Sequence, residues 1–319
     1  MNSDYNIFMS ERAFHHVPVM PVEVETLVCP APGKLILDGT AGGGGHSEIF
    51  LRTGASVLAL DRDLEALEHC RERLARYGES VAFAHANFAD VGEVMDKMGG
   101  AQLGGALLDL GVSSHQLDTD ERGFSFQREG PLDMRMNRDG DEVSAAVLVN
   151  TAAEEELVRI FRDFGEEPRA RLIATTIVKR RARQPFFSTG DLVDVIERVA
   201  PRTSARHPAT RVFQALRIAT NDELASLRRG LEAISARLAV GARFAVITFH
   251  SLEDRIVKHY FRDRSLAELD RPEWPAPRPN PDCIFKPITS KPVEASQVEA
   301  SANPRARSAK LRVVERINS

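Results

Sequence analysis

Three carboxylates and a run of glycines are the residues of this chain best placed to do chemistry. Asp38 closes the apolar run Leu35-Ile36-Leu37, and a glycine cluster from Gly39 to Gly45 follows before a helical segment opens at His46. Asp61 closes a second apolar run, Ser56 to Leu60, and Asp109 stands near the end of another, 105–110. Glycines let a backbone approach a ligand closely, and an acid some 20 residues beyond such a turn takes ribose hydroxyls. The spacing departs from the dinucleotide fingerprint. Counted from Gly42, Ser47 stands where the last glycine of G-x-G-x-x-G belongs, and Asp38 precedes the glycines. An acid at the end of the first strand fits S-adenosylmethionine, whose amino-acid end is cationic and which has no pyrophosphate to seat. An NAD-linked oxidoreductase is disfavoured on the same spacing. An ordinary glycine-rich turn is the plainer alternative.

Asp109 opens the string Asp-Leu-Gly-Val-Ser-Ser-His-Gln-Leu. Methylation of an exocyclic amine needs the nitrogen lone pair and a place for the departing proton, and a strand-end carboxylate suits both needs. Alignment of methyl and nucleophile supplies most of the rate. Asp109 is also open to a plainer role, contacting a cofactor or capping a turn. A second string, Phe249-His250-Ser251-Leu252-Glu253-Asp254-Arg255, follows the later apolar run Arg243 to Thr248. His250 either orients substrate and relays a proton or fixes its loop by hydrogen bonds, while Glu253, Asp254 and Arg255 read as a solvated helix start. A third, Arg122-Gly123-Phe124-Ser125-Phe126 running on to Met136, sets aromatics among arginines. That mixture suits stacking and phosphate contacts with an unstacked base, or anchors a lid loop in the core.

These residues need elements to position them. Strand-like runs at 35–38, 56–60, 81–85 and 105–110 alternate with helical periodicity, which indicates a doubly wound parallel sheet. Its strand C-termini share one rim, so Asp38, Asp61, Phe88 and Asp109 are expected at one crevice. From about 115 to 240 the pattern is helical, with stretches at about 144–149, 152–164, 168–183, 189–199 and 207–238. Thr151-x-x-Glu154 reads as a capping box, and Ser188 or Thr189 as the cap of the fourth stretch. Arg243 to Thr248 then returns as a buried fifth strand, so a helical domain is inserted between strands four and five. Eight of the 17 prolines fall between Pro272 and Pro304, marking a long loop, and Lys310 to Val314 is expected to pair at the sheet edge. The expected division is a first part of the sheet domain at 1–114, a helical insertion at 115–217 and a second part of the sheet domain at 218–319, its Pro-rich loop at about 265–305.

With 319 residues, 43% hydrophobic and 28% charged, the composition is globular. The net charge of −4 conceals a basic region: residues 159–217 hold thirteen Lys/Arg against six Asp/Glu. Arg169, Arg171, Lys179, Arg180, Arg181, Arg183, Arg202, Arg206 and Arg211 form either a phosphate-backbone footprint or a solvated helix face. Cys29, Cys70 and Cys283 lie far apart, which points to a reducing compartment and against a disulfide framework or zinc knuckle. No signal peptide and no apolar run of about 18 residues is seen. The expectation is a cytoplasmic, soluble protein with no membrane association and no metal site.

Longer strings carry a specific resemblance. HVPVM at 16–20 with Glu23, DGTAGGGGHS at 38–47, LDRD at 60–63, LLDLGVSSHQLD at 107–118 and RGFSFQREGPLDMRM at 122–136 occur in that order. HPATRVFQALRI at 207–218, FHSLEDRIVK at 249–258 and NPRARSAKLRV at 303–313 continue the series. The chain resembles the bacterial 16S ribosomal RNA (cytosine-N4)-methyltransferases, the MraW or RsmH family, over nearly its whole length. The resemblance implies a Rossmann-like fold with a helical insertion. It implies methyl transfer from S-adenosylmethionine to the 4-amino group of a cytidine in the decoding centre of 16S rRNA in the small ribosomal subunit. Cofactor contacts would be Gly44, Gly45 and His46; Asp61 would take the ribose, Phe88 would lie by the adenine, and Asp109 with Gln116 would complete the site. Ala41 and Gly43 depart from larger residues in the family without removing a contact. The wider class of amino-methyltransferases carries Pro-Pro and an aromatic after the strand-four acid, whereas this chain has Leu110-Gly111-Val112. A stacking aromatic would come from Phe124, Phe126 or Phe249. A catalytically silent RNA-binding assembly factor is the alternative function, and a homodimer through the insertion is compatible with the sequence.

Overall fold

The computed structural model describes residues 18–200, 207–270 and 272–318. His16 and Val17 of the first matching string, and Arg202 and Arg206 of the basic set, lie outside them. Five parallel strands run β3-β2-β1-β4-β5: β1 (Leu35–Asp38), β2 (Ser56–Asp61), β3 (Val81–His85), β4 (Leu103–Asp109) and β5 (Leu238–Thr248). β6 (Glu268–Leu269) and β7 (Arg278–Pro279) form a separate hairpin, and β8 (Phe285–Pro287), β9 (Val293–Glu294) and β10 (Lys310–Arg316) extend the main sheet. The doubly wound sheet expected from the apolar runs is the one that forms.

The strands read as apolar runs because both faces are covered. Ile36, Val57, Ala59, Leu107 and Ile247 share one core with α1 (Pro21–Val28), α2 (Gly45–Arg52) and α3 (Leu64–Leu74). Leu37, Leu58, Leu60, Leu108 and Val246 face the other core, against α4 (Val91–Lys97), α11 (Glu223–Arg237) and α12 (Ser251–Asp263). Fully burying one such side chain contributes about 1.5–3 kcal/mol. A one-residue slip would exchange the two faces, so packing fixes the register and with it the strand ends.

Between β4 and β5 the chain forms α5 (Ser114–Asp118), α6 (Ala145–Thr151), α7 (Glu154–Asp163), α8 (Ala170–Arg181), α9 (Thr189–Val199) and α10 (Ala209–Thr220). Helices α6 to α10 surround a third core that includes Leu157, Phe161, Ile173, Ile177, Leu192, Ile196, Val212 and Phe213. Four expectations about boundaries change. Thr151 is the last residue of α6, where its hydroxyl donates to the Val147 carbonyl, and Ala153 precedes α7 without a side-chain cap. The stretch 207–238 divides into α10 and α11 at Asn221 and Asp222. The buried Asn221 side chain there accepts the Met136 N–H (2.8 Å) and donates to the Met134 carbonyl (2.7 Å). β10 is interior, paired to β5 on one side and to β8 and β9 on the other. The Pro-rich segment contains β7, β8, β9 and α13 (Gln297–Ala302). The fourth-stretch cap is Ser188, in a capping box with Asp191. No helix among the described residues is long and apolar enough to cross a membrane.

Candidate active site

The C-terminal rim of the parallel strands opens on a cavity of about 570 Å³. Its wall includes Gly45, His46, Asp61, Phe88, Asp109 and Gln116 of the expected contacts, so positions scattered from 45 to 116 do converge. Gly44 does not line it. Its backbone is left-handed (φ 77°), it caps α2, and a Cβ there would fall 2.9 Å from the Cys70 sulfur, on the side of α3. Asp38 does not line it either. Its carboxylate is buried beneath the floor, where the Ser47 hydroxyl donates to it (2.7 Å) and the Thr40 N–H approaches at 3.3 Å. Asp38 therefore supports the glycine turn from below instead of facing a ligand. Burial pushes its carboxyl up to about 6, against those hydrogen bonds.

Backbone hydrogen bonds build the floor. Asp61 Oδ2 accepts the Gly42 N–H (2.7 Å) and Oδ1 accepts the Asp63 N–H (2.9 Å), which ties the glycine loop to the end of β2. Burial raises Asp61 to about 6, with those N–H groups opposing. Thr40 Oγ1 accepts the Asp109 N–H (2.7 Å) and locks the first turn to the end of β4. No local pattern marks this role for Thr40, because the pair lies 69 residues apart.

Asp109 is the unusual group. Its Oδ1 is buried and has no hydrogen-bond partner. Its Oδ2 lies 3.6 Å from His46 Nδ1. The other imidazole nitrogen, Nε2, faces the Val19 carbonyl at 2.9 Å. A carbonyl only accepts, so Nε2 carries the proton, and burial holds the His46 pKa at about 4. The neutral ring therefore turns a lone pair towards Asp109. Burial, then the charges of Asp38 and Glu253, hold the Asp109 carboxyl well above the usual carboxylate range, with Arg305 opposing.

Gln116 is committed within the wall. Its Oε1 accepts the Ser113 N–H (3.0 Å) and its Nε2 donates to Asp63 Oδ2 (2.7 Å). The same Asp63 oxygen accepts from Arg122 Nη2 (2.7 Å), whose guanidinium also reaches Glu65 and the carbonyls of Arg135 and Met136. Arg122 is 1% exposed, so it joins the insertion loop to the sheet and cannot meet a phosphate. Phe124 belongs to the helical core, and Phe126 packs on Phe213 and His207 with ring centroids 5.0 and 4.7 Å apart. Both rings anchor the loop.

Beyond β5, His250 is the N-cap of α12, its Nδ1 accepting the Glu253 N–H. Glu253 is not solvated. It is 2% exposed, and its Oε2 accepts the N–H of Phe249 (2.8 Å) and of His250 (3.3 Å). Asp254 pairs with Arg312 and Arg255 with Glu166. Possible ligand atoms of Glu223, His250 and Glu253 come within 4.8 Å of one another. Arg217 already grips both Glu223 oxygens at 2.7 Å, which makes this an ion-pair network. Arg217, Glu253 and Arg305, none predicted as site residues, also line the cavity. Arg305 lies in the NPRARS string, the one signal that pointed to it.

A model of the MraW methylase family matches residues 13–317. The chain belongs to that family. A relative from Pelobacter propionicus, ribosomal RNA small subunit methyltransferase H, is 49% identical over 317 residues, covering 95% of this chain and 99% of the relative. The protein of the same description from Geotalea daltonii is 49% identical over 316 residues with the same coverage. As a methylase of this family the protein uses S-adenosylmethionine, and the cavity suits that cofactor. It offers a glycine turn tied to the buried Asp61 carboxylate at the end of β2, and the Phe88 ring beyond β3, and it keeps the unpaired oxygen of Asp109 free beside them.

The Phe88 ring is pinned from behind by α11. A Cβ on Gly230 would lie 2.4 Å from Phe88 Cδ2 and 2.7 Å from Cε2. Gly230→Ala should therefore reverse the usual sign of a helical Gly-to-Ala change, which normally stabilises by up to about 1 kcal/mol. The displaced ring should cost about 1–3 kcal/mol and weaken cofactor binding. Thermal unfolding with a cofactor titration checks this; a higher melting temperature would contradict the packing.

Proposed function

We propose that the protein transfers a methyl group from S-adenosylmethionine to the exocyclic 4-amino group of a cytidine in the decoding centre of 16S rRNA. The observation that carries the reading is the buried, unpartnered Oδ1 of Asp109 at the end of β4, in the wall of the cofactor cavity. When bound, the cofactor supplies an electrophilic methyl carbon on a sulfonium, and the sulfur keeps the bonding pair as the new C–N bond forms. Asp109 accepts a hydrogen bond from the amine, which localises the nitrogen lone pair, and takes the proton that the nitrogen must lose. Asp61 holds the ribose hydroxyls, and Phe88 lies against the adenine. Gly45 and His46 meet the amino-acid end. Gln116, through Asp63, keeps the wall between them in place.

The helical insertion, 115–217, is the part we assign to RNA. Arg169, Arg171, Lys179 and Arg183 are exposed there and suit contact with phosphate. Other members of the basic set have structural work: Arg180 pairs with Asp191 and stacks on Phe186 (4.1 Å), and Arg181 donates to the Val149 carbonyl.

Asp61→Ala should weaken S-adenosylmethionine binding about 10- to 150-fold, the worth of about 1.5–3 kcal/mol for a hydrogen bond to a charged group. Unchanged affinity by calorimetry would contradict the ribose assignment. The substrate class is tested by transfer of radiolabelled methyl to small ribosomal subunits. Label in the RNA fraction is expected, and label confined to ribosomal proteins would overturn the proposal.

A further inference from the structure

Resting on that reading, we propose that the part of the cavity wall formed by Phe249 and Gly111, beside Asp109, is the subsite for the target base, with the Phe249 ring as its stacking platform. Among the described residues two phenylalanine rings line the cavity, Phe88 and Phe249. Phe88 is held against Gly230 on the β3 side, next to the ribose carboxylate of Asp61. Phe249 lies on the opposite side. Asp109 pairs in register with Ile247, and the Leu110 N–H donates to the Ile247 carbonyl (3.0 Å), so Phe249 sits just beyond the acceptor carboxylate on the adjacent strand.

The Phe249 backbone N–H donates to the buried carboxylate of Glu253, another residue lining the cavity, and so fixes the base of the ring. Gly111, at φ 104°, presents bare backbone to it; a Cβ there would stand 3.3 Å from Phe249 Cδ2. The ring is only partly buried and keeps a share of the cavity wall. A flat base needs such a surface. The reacting nitrogen must come edge-on to the methyl group within a narrow range of angles, and single bases are held by stacking on aromatic faces. Because every base has a π-face, Phe249 sets position, while the polar groups around it choose which base reacts.

The test compares Phe249→Ala, Phe249→Leu and Phe249→Trp in steady-state methyl transfer to small ribosomal subunits, alongside cofactor affinity by calorimetry. Loss of one stacked base corresponds to about 5- to 150-fold. Phe249→Ala and Phe249→Leu should lose that factor in kcat/KM for the subunit. Cofactor affinity should stay within about twofold, and Phe249→Trp should recover most of the activity. Leucine retains the packing volume without a π-face, so it keeps the test sound if alanine disturbs the fold. Wild-type activity in the leucine variant, or a tryptophan variant as poor as leucine, would overturn the stacking role. Equal losses in cofactor affinity and transfer would overturn it as well. Failure of the wild-type protein itself to methylate RNA would strike the functional proposal instead, so the two failures are distinguishable.

Discussion

Asp109→Asn is expected to lower the rate of methyl transfer by about 10²- to 10⁴-fold at saturating cofactor, the usual worth of a positioned proton acceptor, with the fold intact. Asparagine preserves the shape of the side chain and one acceptor oxygen, but it cannot take a proton. A residue that only positions the amine would tolerate the change far better, so single-turnover rates at saturating cofactor separate the two roles. A loss of less than about tenfold would show that the proton goes elsewhere.

The pH dependence adds an independent signature. Burial holds the Asp109 carboxyl well above its ordinary range, so in the free protein the acid form persists where an unfolded chain would already be ionised. The native state then binds more protons than the unfolded state, and stability falls as pH rises from the ordinary carboxylate range towards the raised value. Asp38 and Asp61, both near 6, contribute in the same direction between about pH 4 and 6. Asp109→Asn should remove its own share of that slope and leave theirs. The wild-type transfer rate should rise with pH as Asp109 ionises, and the variant's rate should lose that rise.

Arg122→Met should destabilise the protein by about 3–5 kcal/mol, the cost of breaking a buried pair from one side. The substitution strands Asp63, whose side chain is 3% exposed, with Gln116 as its remaining side-chain hydrogen-bond partner. It also frees the carbonyls of Arg135 and Met136. Since Gln116 lies in the cavity wall and Asp63 behind it holds its amide, cofactor affinity should fall with stability. Adding Asp63→Asn should recover part of the loss, because the unpaired charge goes with it. Urea unfolding of the single and double variants checks both statements. A single variant within about 1 kcal/mol of wild type would contradict the role of Arg122 as the tie between insertion and sheet.

The sheet was legible because a parallel strand covered on both faces must be apolar along its length, and the runs ending at Asp38, Asp61 and Asp109 obey that rule. The crevice followed from topology, since every parallel strand ends on the same rim. What escaped the sequence depended on contacts between distant residues. Asp38 looked like a ligand group, yet Ser47 and Thr40 bind it under the floor. Arg122 looked like a phosphate contact, yet its partner Asp63 lies 59 residues away and leaves no local pattern. Glu253 sits in a charged string that reads as a solvated helix start, and only the fold shows its carboxylate turned back onto the N–H groups of Phe249 and His250. Asn221 breaks a periodic helix because the loop at 134–136 needs its amide.

The most direct measurement is transfer from S-adenosylmethionine carrying a deuterated methyl group to small ribosomal subunits from a strain lacking the corresponding gene. Nucleoside digestion and mass spectrometry then identify the labelled atom. A deuterated methyl group on the 4-amino nitrogen of a single cytidine is the expected result. Label on a ring carbon, on a ribose or on another base would contradict the assignment of Asp109 as the acceptor for an amine.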